Sequence, residues 1–94
     1  MNIENKVVVI TGASSGLGED TAIHLSRLGA ETILVARSRE RLETVQSKIK
    51  AITQKAPLSI ECDISSEDDV SNMVTAIQKR YVHVDVLINN PGII

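Results

Sequence analysis

A glycine-rich loop at residues 11–18 constrains the fold of this chain more than any other stretch of its sequence. The loop reads Thr-Gly-Ala-Ser-Ser-Gly-Leu-Gly and directly follows the apolar run at residues 6–10. A β-branched run of that length favours a buried strand, and the helical apolar period that begins at Gly16 indicates a helix. The sequence therefore predicts a strand, a tight turn and a helix in direct succession.

The three glycines of this loop have separate expected roles. A helix start exposes backbone N–H groups without partners and a partial positive charge, so it attracts phosphate. Gly12 would permit the turn out of the strand, Gly16 would let the backbone approach a pyrophosphate, and Gly18 would let the helix pack closely on the sheet. A flexible turn is the alternative, but the flanking strand and helix favour a dinucleotide-binding loop.

Strands and helices alternate along the rest of the chain. Apolar runs at residues 31–36 and 85–88 predict two further strands, and polar-apolar alternation over residues 58–62 predicts a half-buried strand at a sheet edge. Such alternation implies parallel pairing with right-handed crossovers. The sequence therefore predicts an α/β fold of the Rossmann type, with a partial parallel sheet built as β-α-β-α-β-α-β.

The helices have recognisable ends and apolar stripes. Ser38 and Ser66 are expected N-caps of the second and third helices, with Asp69 completing an S-x-x-[DE] signature, and Gly29 lies where the first helix should end. The stripes predicted to be buried are Leu17, Thr21, Ala22, Leu25 and Leu28 in the first helix, Leu42, Val45, Ile49 and Ile52 in the second, and Val70, Met73, Val74 and Ile77 in the third.

Composition and charge exclude several classes of function. The chain has 94 residues, enough for one domain, a net charge of −2 and no basic block, so neither nucleic acid nor a membrane surface is an expected partner. The single cysteine, Cys62, cannot form an internal disulfide, and no residues have metal-ligand spacing, so no metal site is expected. Because no apolar run approaches membrane-spanning length, a cytoplasmic protein is the default expectation.

Three motifs, in order and in register, resemble those of the classical short-chain dehydrogenases/reductases. Residues 11–18 resemble T-G-x-x-x-G-x-G, residues 62–64 resemble the aspartate motif after the third strand, and residues 89–92 resemble the N-N-A-G motif after the fourth. The resemblance covers essentially the whole chain. It implies an oxidoreductase that moves hydride between a nicotinamide and a carbonyl or alcohol. Pro91 replaces the family's alanine, so any cofactor contact through that backbone N–H is lost.

The resemblance also assigns residues to the dinucleotide site. Asp63 would bind the adenine ring, Asn90 would lie near the adenosine ribose, and Asn89 would be structural. Asp63 has a second expected role as a turn or helix-capping residue, and both roles can hold together. The expected cofactor-binding set is Gly12, Ser14, Ser15, Gly16, Leu17, Gly18, Arg37, Asp63, Ile64, Asn90 and Gly92.

Arg37 governs which nicotinamide cofactor we expect. In NAD-binding proteins an acidic residue about 20 residues beyond the glycine loop binds the ribose 2′-OH. This chain instead has Arg37 at the predicted end of the second strand, and a guanidinium binds a 2′-phosphate bidentately. We therefore expect NADP(H) in preference to NAD(H), with Ser14, Ser15 and Ser38 as further hydroxyl donors. The alternative is that the arginines of residues 37–41 form an ordinary solvated cluster.

No catalytic residue is assigned. In the family, a Ser and a Tyr-x-x-x-Lys motif follow the fourth strand, where this sequence stops. Tyr81 is followed four residues later by Asp85 rather than Lys, so it does not match that motif. Residues 1–94 are therefore expected to be the N-terminal half of an NAD(P)-binding Rossmann domain whose catalytic half is absent, and the chain is expected to be inactive.

The expected strand order, 3-2-1-4, has a structural consequence. The first two helices would cover one face of the sheet, the third only part of the other, and the fourth strand would have an unpaired edge. We expect marginal stability and self-association through the uncovered face and that edge. Two alternatives stay open: a non-catalytic nucleotide-binding or partner-completed module, and another Rossmann enzyme such as an S-adenosylmethionine methyltransferase, against which the positive Arg37 counts.

Overall fold

The computed structural model describes residues 2–90 and contains the predicted succession of strands and helices in that part of the chain. The elements are β1 (Val7–Thr11), α1 (Gly16–Arg27), β2 (Glu31–Ala36), α2 (Arg39–Thr53), β3 (Leu58–Glu61), α3 (Glu67–Gln78) and β4 (Val86–Ile88). The strands form one parallel sheet in the order β3-β2-β1-β4. The predicted α/β class, the strand order and the edge position of β3 are confirmed.

β1 is the central strand and the point where the chain changes direction across the sheet. Val9 is in register with Ile33 of β2 on one side and with Leu87 of β4 on the other. The chain therefore leaves the carboxyl end of β1 toward β2, while β4 lies on the opposite side. In open α/β sheets, ligands bind in the crevice at such a switch point.

Helices cover both faces of the sheet, but unequally. α1 and α2 pack on one face, around a core that includes Val8, Ile10, Leu34 and Leu42. α3 packs on the other face, where Ile77 belongs to a buried cluster with side chains of β1 and β2, and residues of β3 pack against that cluster. The side chain of Leu87 in β4 is 64% exposed on this second face, whereas its neighbour Val9 in β1 is 3% exposed. The expectation that the third helix covers only part of its face is confirmed.

The predicted buried stripe of α1 is partly wrong. Leu17 and Leu28 are 64% and 50% exposed, and the buried side of the helix consists of the small residues Gly18, Ala22 and Ser26. α1 lies so close to the sheet that small residues fill the contact and the leucines are displaced to its flanks. Burial of the Ser26 hydroxyl costs little free energy, because it forms a 2.9 Å hydrogen bond with the hydroxyl of buried Thr32.

The stripes of α2 and α3 are correct except at one position each. In α2, Leu42, Val45 and Ile49 are buried, but Ile52 is 42% exposed in the last turn. In α3, Ile77 is buried and Val70 and Met73 are partly buried, while Val74 is 43% exposed. α3 meets the sheet along a narrower stripe than a full amphipathic face, because it rests on the edge half of the sheet.

The predicted helix ends are confirmed. The Ser38 hydroxyl accepts a 3.2 Å hydrogen bond from the Arg41 N–H, and the Ser66 hydroxyl accepts one of the same length from the Asp69 N–H. Gly29 has φ +93° and follows α1 in a Schellman arrangement, in which the Ala30 N–H reaches back to the Leu25 carbonyl.

Candidate dinucleotide-binding site

A cleft of about 630 Å³ lies at the carboxyl ends of β1, β2 and β3 and reaches the start of α1. Its walls combine the glycine loop with the residues that follow the next two strands. The cleft therefore lies at the switch point of the sheet, where the topology alone places a ligand. The lining residues are Gly12, Ser14, Ser15, Gly16, Leu17, Val35, Ala36, Arg37, Ser38, Arg41, Cys62, Asp63, Ile64, Ser65 and Asn90.

The glycines of the loop differ in what a side chain would meet. Gly12 has φ +63°, and a Cβ added there would lie 2.5 Å from the Asn90 carbonyl oxygen. A Cβ at Gly18 would lie 1.9 Å from the Gly12 carbonyl oxygen, so this glycine sets how closely α1 approaches the turn. Gly16 has φ +55°, and a Cβ there would meet nothing within 4 Å. Gly12 and Gly18 are thus required by packing, whereas Gly16 keeps the mouth of the cleft open.

The first turn of α1 has N–H groups that no capping side chain occupies. Ser15 is the N-cap residue, with extended backbone angles, and its hydroxyl makes no capping hydrogen bond within the described chain. The backbone ladder begins with the Glu19 N–H donating to the Ser15 carbonyl at 3.3 Å. Because Gly16 contributes no side chain in front of them, the earlier amides can bind an anionic group.

Hydrogen bonds from Thr11 hold the floor of the cleft together. Its hydroxyl donates to the Asn89 Oδ1 at 2.8 Å and accepts from the Asn90 N–H at 3.0 Å, which joins the ends of β1 and β4. On the other side, the Ala13 N–H donates to the Val35 carbonyl at 3.2 Å and joins the glycine loop to β2. Asn89 therefore has the structural contact that was expected of it, and Asn90 lines the cleft.

The arginines of residues 37–41 do not form a uniform cluster. Arg37 and Arg41 line the cleft, whereas the Nε of Arg39 lies 3.8 Å from Oε1 of Glu61. Among residues 2–90, neither Arg37 nor Arg41 forms an ion pair. Two arginines without an ion-pair partner in the described part of the chain therefore border the same space at the end of β2.

Asp63 lines the cleft and also forms the turn predicted for it. Its Oδ1 accepts hydrogen bonds from the Ser65 N–H at 2.9 Å and from the Ser65 hydroxyl at 2.7 Å. These bonds, with a smaller contribution from the charge of Arg37, lower the pKa of the Asp63 carboxyl below its ordinary value of 3.8. The turn fixes the position of the carboxylate in the lining of the cleft, within reach of the charge of Arg37.

Cys62 is 1% exposed, although it borders the cleft. Burial raises the pKa of its thiol, and the charges of Asp69 and Asp63 act in the same direction. A thiol that stays protonated is a poor nucleophile and a poor metal ligand. Cys62 therefore acts as a small core residue, as the alternation along β3 predicts.

The cleft contains most, but not all, of the residues assigned from the sequence. Gly18 lies behind the wall, where it supports the loop by packing, and Gly92 lies outside the described residues. Sequence reasoning missed Arg41 as a cleft residue. The spacing gives only part of the signal, because residues 37 and 41 flank an expected N-cap and are brought to one side by the first helical turn, but it does not show where Arg39 lies. Ser38, expected as a further hydroxyl donor, also lines the cleft, and the lining residues that were not expected are Val35, Ala36, Cys62 and Ser65.

Comparison with known proteins shows which family has this loop, cleft and strand order. A family model described as short chain dehydrogenase matches residues 6–94. The chain belongs to the short chain dehydrogenase family. The match includes the glycine loop, the aspartate after β3 and the asparagines after β4, so the family resemblance of the sequence is confirmed.

Relatives of this short chain dehydrogenase match it along almost its whole length. The uncharacterized oxidoreductase Lin0452 of Listeria innocua is 43% identical over 93 residues, which are 99% of this chain and 37% of that protein. A protein of Pinus massoniana named 11-beta-hydroxysteroid dehydrogenase is 38% identical over 98% of this chain and 26% of its own length. The chain thus spans between about a quarter and little more than a third of the length of these two relatives.

Solved structures show the same fold. A short chain dehydrogenase from Shigella flexneri, complexed with NADP, superposes with a TM-score of 0.91 at 28% identity and covers 98% of this chain and 40% of its own. L-sorbose reductase from Gluconobacter frateurii, complexed with NADPH and L-sorbose, has a TM-score of 0.91 at 33% identity and covers 99% and 36%. Within residues 2–90 of the present short chain dehydrogenase, the helices are too short or too polar to cross a bilayer.

Proposed function

We propose that residues 1–94 form the cofactor-binding part of an NADP(H)-dependent oxidoreductase that acts on a carbonyl or alcohol substrate. One observation carries the proposal: uncapped amides beside Gly16 and the guanidinium of Arg37 border one cleft at the switch point of the sheet. A dinucleotide with a 2′-phosphate has anionic groups at two separate places, and the cleft offers a separate binding element for each.

The residues present fit such a cofactor. The amides of Gly16 and Leu17 would hold the pyrophosphate, because no side chain obstructs that approach. Asp63 and Ile64 would hold the adenine, and Asn90 would contact the adenosine ribose. Arg37 directly follows β2, at the position where NAD-binding proteins have a carboxylate for the ribose 2′-OH. This position supports NADP(H) over NAD(H). Two solved relatives with NADP or NADPH in their names support the same cofactor.

The reaction itself would use groups outside this sequence. When bound, the nicotinamide accepts or supplies the hydride, and the residues described above bind and orient the dinucleotide. Two relatives that match this chain are named 11-beta-hydroxysteroid dehydrogenase and farnesol dehydrogenase, so the part that they share with it does not encode one substrate. We propose that the chain alone binds the cofactor weakly and is inactive, since the Ser and Tyr-x-x-x-Lys groups of the family have no counterpart in it.

Cofactor selectivity tests the proposal. NADPH and NADH are titrated into the 15N-labelled chain, because chemical-shift changes report even millimolar binding. We expect NADPH to bind more tightly, and Arg37→Asp to remove the preference by repelling the 2′-phosphate. Arg39→Asp is the matched control: it makes the same charge change two residues away, at a side chain that faces Glu61. Equal binding of both nucleotides by the unmodified chain would contradict the NADP(H) assignment.

A partner-completed module is the second candidate function. The exposure of Leu87 and the unpaired side of β4 within the described sheet favour it, since parallel sheets are normally buried on both faces. In that case the chain would gain stability from a partner rather than from a nucleotide. A melting temperature that rises with NADPH but not with protein concentration would argue against this candidate.

We also propose a cytoplasmic location, where NADP(H) is available. The support is the lone buried thiol of Cys62, which is compatible with a reducing compartment. Fractionation of cells that express a tagged version tests this, and accumulation in an oxidising compartment would contradict it.

A further inference from the structure

The cleft has two cationic side chains at the end of β2, although the sequence argument for NADP(H) needs only one. Arg37 follows the strand directly, and Arg41 reaches the same wall from the first turn of α2. Arg39, which lies between them in sequence, is turned toward Glu61. The local fold therefore sorts three neighbouring arginines into two that face the cleft and one that does not.

The connection between the two cleft arginines is fixed by the chain itself. Ser38 accepts the N–H of Arg41 at 3.2 Å, and the Ser38 carbonyl accepts the N–H of Leu42 at 3.0 Å. Leu42 is fully buried and anchors this turn in the core. These bonds fix the backbone of Arg41, and within residues 2–90 its side chain forms no ion pair, so it is available to a ligand in the cleft.

The charges lining the cleft favour a dianionic group at this wall. The charged residues that line the cleft are two arginines and one aspartate, Asp63, so the positive charges outnumber the negative one. The Oδ1 of Asp63 already accepts two hydrogen bonds from Ser65. A phosphate monoester carries a charge between about −1.5 and −2 at neutral pH. One guanidinium leaves much of that charge unmatched, whereas two can bind different oxygens of the same phosphate.

We propose that Arg41 is a second, specificity-determining phosphate ligand, which acts with Arg37 on the 2′-phosphate of the cofactor. The proposal rests on the proposed function, because it names the chemistry of one subsite within the same cleft. It assigns to Arg41 a contact with the ligand, and to Arg39 none. The discrimination between nucleotides with and without the 2′-phosphate would then be divided between two residues.

Two small nucleotides isolate this subsite. 2′,5′-ADP and 5′-AMP differ only in the 2′-phosphate, so the ratio of their dissociation constants measures its recognition. Both are titrated by NMR into the 15N-labelled chain and into Arg41→Gln, Arg37→Gln and Arg39→Gln. Arg41→Gln is expected to reduce the preference for 2′,5′-ADP by roughly tenfold, the usual effect of losing one charge-assisted hydrogen bond. Its affinity for 5′-AMP should be unchanged.

The controls separate the two proposals. Arg39→Gln should keep the full preference, and the side-chain Nε–H signal of Arg41 should shift with 2′,5′-ADP but not with 5′-AMP. If Arg37→Gln lost the preference while Arg41→Gln kept it, the role of Arg41 would be refuted and the NADP(H) assignment would stand. If the unmodified chain showed no preference, the proposed function would fail as well. Melting curves of each variant identify any loss that comes from unfolding.

Discussion

The carbonyl oxygen of Gly12 lies where a Cβ on Gly18 would have to be, at a separation of 1.9 Å. The turn out of β1 and the first turn of α1 are therefore in direct backbone contact. That contact is what places the amides beside Gly16 at the mouth of the cleft, and it makes the two glycines of α1 respond differently to substitution.

Gly18→Ala should destabilise the fold more than Gly16→Ala. A methyl group at residue 18 forces the loop and helix apart, and overpacking of this kind costs about 1–3 kcal/mol or more. At residue 16 the methyl group meets open space, so only the left-handed backbone is penalised, by about 1–2 kcal/mol. Urea unfolding measures both changes. An equal loss of stability in the two variants would show that the close contact is absent.

The Gly16 variant should also separate stability from binding. Gly16 lines the cleft and a methyl group there meets nothing within 4 Å, so Gly16→Ala should weaken NADPH binding while the chain stays folded. Larger substitutions there should weaken it further. NADPH titration of Gly16→Ala at a temperature well below its melting point provides the test, and unchanged affinity would mean that the pyrophosphate does not approach residue 16.

Thr11→Val should destabilise the chain by about 1–3 kcal/mol, because it leaves the Asn89 Oδ1 and the Asn90 N–H without their partner. Thr75→Val is the matched control: the Thr75 hydroxyl donates only to the carbonyl one helical turn earlier, on an exposed face. The control should change the free energy of unfolding by less than about 0.5 kcal/mol. Similar losses in both variants would contradict a special role for Thr11.

Stability should fall in acid partly because of Glu31. Its carboxylate accepts hydrogen bonds from Lys55 and, at 3.2 Å, from the Tyr81 hydroxyl. The Lys55 bond is the main cause that lowers the pKa of Glu31 below its ordinary value of 4.5. A depressed folded-state pKa stabilises the fold above the unfolded value, and this contribution is lost as the pH falls through the folded value.

Glu31→Gln should therefore be less stable than the unmodified chain at pH 7, and the difference should shrink below pH 4.5. Urea unfolding over a pH series measures this. A difference that stays constant down to pH 2 would show that the Glu31 carboxylate is not linked to folding.

Leu87→Lys should reduce self-association at little cost in stability. The side chain is 64% exposed on the partly covered face, so its substitution removes apolar surface without opening the core. Leu34→Ala, at a fully buried site, should cost about 2–5 kcal/mol and serves as the contrast. Sedimentation equilibrium distinguishes the outcomes, and an unchanged association constant for Leu87→Lys would exclude that face.

The strands, the helix caps and Gly29 at the end of α1 were predicted because they follow from local rules. The parallel topology was predicted because strands and helices alternate along the chain. The buried face of α1 could not be predicted, since apolar periodicity selects Leu17 and Leu28 and cannot foresee how closely the helix packs. Burial of Ser26 depends on Thr32, a partner in another element. Arg41 was missed for a related reason: which arginine faces the cleft depends on where β3 places Glu61.

The most direct test of cofactor binding is a map of the backbone amides that respond to NADPH. On titration of the 15N-labelled chain, the signals of Gly16 and Leu17 should shift in a saturable way, together with those of residues at the ends of β2 and β3. Residues at the opposite end of the sheet, such as Glu31, should not respond. Shifts confined to that opposite end, or none at the start of α1, would contradict dinucleotide binding by the glycine loop.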